Sequence, residues 1–208
     1  MKQASFYHNI VALIIAVFSA FTFGESSTTY VLQEKAKILE KTLIPTGYGL
    51  TKFLNKDFYL ARFSIDESAS YASVDDLVYI DAARRMEFKF VLDKVSGRTF
   101  WRRLSQGMKI NNDREALKDN IVFVKQLKTF FKRAIKKGDI IRFDYHPDFG
   151  TRVYHNKRFL GEISGEFYRF IVNVWFGNRP PSNRFKDGLL GRNGDDYAIN
   201  MQQRFEAE

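Results

Sequence analysis

Between Arg85 and Val95 the apolar residues Met86, Phe88, Phe90 and Leu92 occupy every second position. That is the period of a strand with one buried face. Asp57 to Ile65 and Leu77 to Asp81 also read as strands, and Gly47-x-Gly49 ahead of them reads as a tight turn. The period then lengthens. Phe100, Leu104 and Met108 lie four apart with Trp101 alongside, and Ser96 is a suitable N-cap, which predicts a helix to about Ile110. Asn111-Asn112 interrupts it. Asp113 caps a longer expected helix whose stripe is Leu117, Ile121, Val124, Phe131 and Ile135, with Gly138 as its C-cap.

Three short strands follow, Asp139 to His146, Thr151 to His155 and Arg158 to Ile163, joined by turns at Pro147-Asp-Phe-Gly150 and Asn156-Lys157. A helix from about Gly165 to Phe176 turns Phe167, Phe170, Ile171, Val174 and Trp175 inward and stops at Gly177. Phe185, Leu189 and Leu190 form a last short helix ending at Gly191, and residues 192–208 read as a polar, frayed C-terminal tail. Strands, two helices, three antiparallel strands and two more helices make an α+β domain: a large antiparallel sheet with a helical layer on one face.

The N-terminus is of another kind. Lys2 precedes an apolar run from Ile10 to Phe23, and Thr22 and Gly24 precede the polar Glu25-Ser-Ser-Thr-Thr29. This predicts a signal peptide over residues 1–24, a polar connector over 25–42, and a periplasmic or secreted product. The rival, an uncleaved anchor, needs a run of about 20 apolar residues, more than this one offers. No later run approaches that length, so no transmembrane span is expected after cleavage.

Composition adds less. There are 21 Phe and 10 Tyr, a load that calls for a large core or an apolar pocket, and there is no Cys, hence no disulfide or thiol chemistry. The formal charge of +9 is spread among acidic residues. Its densest patch, Lys132-Arg133 with Lys136-Lys137, is expected at a helix end, where cations oppose the dipole. Nucleic acid is therefore not an expected partner, although loose contact with anionic lipid fits the charge.

Catalytic signatures are scarce. Gly161-Glu-Ile-Ser-Gly165 lacks the spacing of a nucleophile elbow, and no Walker loop or dinucleotide fingerprint occurs. His146, His155 and Asp148 share one hairpin but lack diagnostic metal spacing; turn and surface roles suit them. No cofactor or metal is implied. The aromatic residues Phe58, Phe88, Phe90, Phe100, Trp101, Phe131, Phe167, Phe170 and Trp175 make either a plain core or the wall of a cleft.

Several local motifs occur in a telling order: Gly47-Tyr-Gly49, Lys136-Lys-Gly-Asp139, Asp144-Tyr-His-Pro-Asp-Phe-Gly-Thr151, Asn156, Gly161-Glu-Ile-Ser-Gly165, Val174-Trp-Phe-Gly177 and Leu189-Leu-Gly191. Over residues 43–191 the chain resembles the bacterial chalcone-isomerase-like family. The resemblance implies an open-faced β-sandwich. In catalytic members an arginine polarises the substrate carbonyl and stabilises an enolate, assisted by hydroxyl and amide groups. Carried over by position, that arginine falls on Thr51, the strand threonine on Tyr59, the helix tyrosine on Phe100, the asparagine on Gly107 and a later hydroxyl near Tyr168. Lys52 would substitute for the arginine only if the strand register slipped by one residue; Arg62 sits well along the next strand. The resemblance is thus to the non-catalytic type, whose members include fatty-acid binders.

The expected function is binding of a small apolar ligand such as a fatty acid, without isomerase activity. The expected cleft is Tyr48, Thr51, Tyr59, Phe100, Met108 and Tyr168, with Thr51, Tyr59 and Tyr168 orienting the ligand and the others forming apolar wall. Two rivals stand beside it: an envelope interaction protein whose cleft is filled by its own side chains, and a lyase or isomerase using Tyr59 or Tyr168 with Arg62 or Lys52.

Overall fold

The computed structural model describes residues 41–207. The expected signal peptide and the connector as far as residue 40 lie outside the described residues. Strands β1 (Leu43–Phe53), β2 (Lys56–Asp66), β3 (Arg84–Phe90), β6 (Ile140–His146), β7 (Gly150–His155) and β8 (Arg158–Ile163) form one open antiparallel sheet in that order. A two-stranded ribbon pairs β4 (Lys94–Val95) with β5 (Ile135–Lys136). The helices are α1 (Val74–Tyr79), α2 (Gly97–Asn111), α3 (Arg114–Asp119), α4 (Ile121–Phe130), α5 (Tyr168–Phe176), α6 (Asn183–Leu189) and α7 (Asp195–Ala207). No helix among the described residues is long and apolar enough to cross a membrane.

The inner face of the sheet carries the predicted aromatic alternation. Phe63, Met86, Phe143 and Val153 stand in register across β2, β3, β6 and β7, each wholly buried. Against them pack α2, through Phe100, Leu104 and Met108, and α5, through Phe170, Ile171, Val174 and Trp175. Phe88 meets Trp175 at 4.6 Å and Phe143 edge-on at 6.0 Å between ring centroids. Ring pairs of this kind add stability beyond the area they bury.

The outer face is charged but not bare. Arg62 pairs with Glu87 and Arg85 with Asp144 across strands, while Arg142 lies over Tyr154. Its β1–β2 end is covered by α7, the stretch expected to fray. Met201 and Phe205, four apart on one helical face, join Tyr48 and Leu60 in a second buried cluster. Lys89 Nζ donates to the Phe205 carbonyl at 2.7 Å, and Arg204 pairs with Asp57 at 2.8 Å. Glu87 and Lys89 are therefore buried, and β3 is covered on both faces.

Three further expectations change. Leu77 to Asp81 is not a strand: Ser73 and Asp76 close a reciprocal capping box, which fixes the start of α1. The long helix after Asp113 breaks at Asn120, whose side-chain amide turns back to the Ala116 carbonyl, and resumes as α4 only to Phe130. Ile135 then pairs with Val95 in the small ribbon, and Gly138, at φ +81°, serves a turn. Lys132 and Arg133 thus lie on a solvated connection just past the end of α4, and Lys136 and Lys137 on the ribbon and its turn, not in the last turn of a long helix.

Gly47 and Gly49 lie inside β1, not at a turn. They let α6 approach the strand. A Cβ on Gly47 would stand 2.1 Å from the Gly188 carbonyl oxygen, and one on Gly49 would stand 2.7 Å from the Phe185 ring. Thr46 completes the contact by donating to the Leu189 carbonyl at 2.8 Å. Backbone cannot move aside as a side chain can. Gly47→Ala should therefore cost about 1–3 kcal/mol of unfolding free energy in a urea titration; a loss below about 0.5 kcal/mol would contradict this packing.

Candidate functional site

The β1–β2 ladder slips between Thr51 and Lys52: Thr51 pairs with Tyr59, whereas Lys52 pairs with Asp57. Phe58 is the extra residue of a β-bulge, so Phe58 and Tyr59, neighbours in sequence, both enter the inner core. Their rings lie 5.0 Å apart. Beside the bulge, at the sheet's edge strand, Thr51 and Lys52 border one cavity of about 230 Å³. Strict alternation would send them to opposite faces.

Its other walls come from α2 (Phe100, Arg103, Leu104, Gly107, Ile110), α5 (Val174, Trp175) and the connection Arg179-Pro-Pro181. Gly107 sets how close the two helices come: a Cβ there would stand 2.5 Å from Val174 Cγ1. Larger side chains would push α5 away and undo the wall.

The polar groups fall into two layers. Deep in the cavity, the Tyr59 hydroxyl accepts from the Trp175 indole N–H at 3.2 Å. Burial pushes its pKa up; the Trp175 bond, the adjacent Thr51 hydroxyl and the charge of Arg103 offset part of that rise. Tyr59 therefore stays a neutral phenol, a donor rather than an anion. Thr51 Oγ1 is buried, and although close to Tyr59 it makes no hydrogen bond of good geometry among the described residues. At the mouth stand Lys52, Arg103 and Arg179, and no carboxylate is among the residues that line the space. Arg103 is exposed and lies over the Phe53 ring at 4.1 Å and the Phe58 ring at 5.1 Å.

Of the six residues expected in the cleft, Thr51, Tyr59 and Phe100 meet here. The other three do not line this cavity. Tyr48 faces the outer side of the sheet and packs on Phe205, because alternation places it opposite Gly49 and Thr51. Met108 is buried in the core one residue from Gly107, its side chain turned into the helix–sheet layer. Tyr168 stacks on Tyr145 at 5.2 Å beside the buried Arg84, and its hydroxyl has no partner among the described residues. The sequence reading also missed Arg103. It is the exposed neighbour of Leu104 on a helix read only for its apolar face, and nothing in the periodicity marks it. The register slip that would put Lys52 in the place of Thr51 does not occur: the bulge inserts Phe58 in β2, Thr51 stays buried opposite Tyr59, and Lys52 is exposed.

A second, larger groove of about 910 Å³ adjoins this cavity and shares Thr51, Lys52 and Pro181 with it. Arg184, Asn193, Asp196 and Tyr197 make its walls polar. Elsewhere, His155 Nε2 lies 2.8 Å from Asp139, and His146 lies 3.5 Å from Asp148. Both histidines brace turns. No group of three or more His, Cys, Asp or Glu among the described residues is placed to hold a metal ion.

An open antiparallel sheet roofed by helices, with a cavity between its edge hairpin and two of those helices, is the architecture here. The sequence profile of the chalcone isomerase-like family matches residues 26–191, and the chain belongs to that family. Among solved structures, a fatty-acid binding protein of Arabidopsis thaliana (AtFAP1) is similar with a TM-score of 0.56 at 15% identity. The alignment covers 79% of this chain and 90% of that one, and it establishes a shared fold. No curated protein matches the chain.

The buried phenols have a consequence for stability. Tyr59 and Tyr168 keep their protons in the folded state above the ordinary tyrosine pKa of about 10, whereas the unfolded chain releases them. The folded state then binds more protons, so stability should fall as pH rises past about 10. Urea midpoints that stay level from about pH 9 to pH 11 would contradict the burial of these hydroxyls.

Proposed function

We propose that this protein is a non-catalytic, ligand-binding member of the family, and that its cavity takes a small amphiphile with an anionic head group, of the fatty-acid class. One observation carries the reading: an apolar space roofed by Phe100, Leu104, Val174 and Trp175 has neutral hydroxyls inside, and the charged groups that line it among the described residues are all cations. A carboxylate at the mouth would meet Arg103, Lys52 or Arg179, while its chain would replace water against the aromatic wall. At about 230 Å³ the space is below the roughly 300–1,000 Å³ usual for ligand sites, which suits a short chain or a partly inserted one. The fatty-acid binding described for the Arabidopsis neighbour supports the same ligand class. The open cavity beside Thr51 counts against a cleft filled by the protein's own side chains.

The Lys2, Ile10–Phe23 and Gly24 pattern supports a periplasmic or secreted location. Mass spectrometry of the protein from its host tests this: a chain starting near Glu25 is expected, and an intact N-terminus would contradict it.

A second reading is favoured by Arg103 and Lys52, which supply the cations a lyase or isomerase would need near the Tyr59 hydroxyl. Both stand at the wet mouth, where water screens their charge and weakens any hold on an enolate. Binding therefore ranks first. Displacement of a fluorescent fatty-acid probe decides between the readings. Medium-chain fatty acids should compete, Arg103→Ala should weaken them by about tenfold, the size of one charge-assisted hydrogen bond at an open rim, and Tyr59→Phe should leave a turnover assay with hydroxylated enones at background. Absence of competition would remove the proposal. Turnover lost on Tyr59→Phe would install the enzymatic reading in its place.

A further inference from the structure

The β1–β2 hairpin is closed by Leu54 and Asn55, both with positive φ, at +49° and +61°. A two-residue turn of this hand is ordinarily made by Asn, Asp or Gly, since a bulky side chain is strained there. Leu54 is nevertheless the most exposed of the large apolar residues among those described, at 81%. Lys52 and Lys56 flank it, both exposed and neither ion-paired among the described residues, while Asp57, the nearest acid, is taken up by Arg204. An apolar residue that is both strained and solvated contributes nothing to this fold.

The hairpin end is continuous with the mouth of the cavity. Arg103, lying over Phe53 beside Leu54, is also a cavity residue, as is Lys52. Ile110, 52% exposed, sits on the same mouth. An apolar tip ringed by uncompensated cations at a portal has the complementarity of one kind of partner. Anionic head groups attract Lys and Arg near their surface, and the interfacial layer below takes a leucine out of water.

We infer that the β1–β2 tip is a membrane-docking element: Leu54 enters the interface of an anionic phospholipid bilayer, Lys52, Lys56 and Arg103 hold head groups, and the cavity mouth faces the lipid. This deepens the proposed function by assigning the source of the ligand, and it rests on that reading only for the purpose of the docking. The docking itself needs no ligand.

The test is co-sedimentation of the protein, in the form its host processes it to, with vesicles of phosphatidylglycerol and of phosphatidylcholine. Wild type should favour phosphatidylglycerol, and rising salt should release it. Leu54→Asn should lower the partition coefficient about tenfold, the factor for withdrawing most of one leucine from the interface. Its thermal midpoint should hold or rise, because asparagine accepts positive φ. Lys56→Glu, which leaves the turn alone, should lower partition by more than tenfold, since two charges change. Binding of a fatty-acid probe without vesicles should be unchanged in both variants, so docking and ligand binding fail separately. Equal partition of either variant and wild type, or no preference for the anionic vesicles, overturns the inference.

Discussion

Phe58 and Tyr59 follow one another in the chain and yet share one side of the sheet. The slip of the β1–β2 ladder beside Thr51 makes this possible. Without the bulge one of the two rings would face the outer side, where α7 packs, and the other alone would have to meet α2 and α5. With it, Phe58 fills the corner beneath Phe53 and Arg103, while Tyr59 reaches the Trp175 indole. A local irregularity in backbone pairing thus fixes the aromatic packing, the position of the Tyr59 phenol in the cavity and the shape of its mouth.

The same irregularity explains which parts of the molecule could be read in the sequence. The β3 alternation as far as Phe90, the α2 stripe with its Ser96 cap, the three strands after Gly138 and the α5 aromatic face rest on period and capping, and these are present; Leu92 falls beyond the end of β3. The order of these elements gave the sheet-and-helix architecture. The misreadings have physical causes of two kinds. Short-range hydrogen bonds decided α1, through the Ser73–Asp76 capping box, and ended the helix at Asn120, and both compete with a weak apolar pattern. Tertiary packing decided the rest. Gly47 and Gly49 look like turn residues until α6 is seen against them, and the polar tail shows Met201 and Phe205 as a stripe only against the open end of the sheet.

The site was half legible for similar reasons. Strand pairing and helix period bring Thr51, Tyr59 and Phe100 to one cavity. Tyr168 is displaced because its helix begins only there, which turns the ring toward Tyr145 and Arg84. Arg103 could not have been found from an apolar pattern. Its importance lies in what surrounds it, a ring on one side and an empty volume on the other.

The proposed function rests on a small space whose interior is neutral and whose cations stand at the mouth. Thr51 and Tyr59 leave the depth of the cavity without fixed charge among the described residues, so that a chain rather than an anion suits it. A crystal structure of the protein grown with a medium-chain fatty acid tests this most directly. The account predicts an acyl chain between Phe100, Trp175 and Tyr59 with its carboxylate within hydrogen-bonding distance of Arg103 or Lys52. A carboxylate buried against Thr51 with the chain in solvent, or a cavity that stays empty at saturating ligand, would contradict it.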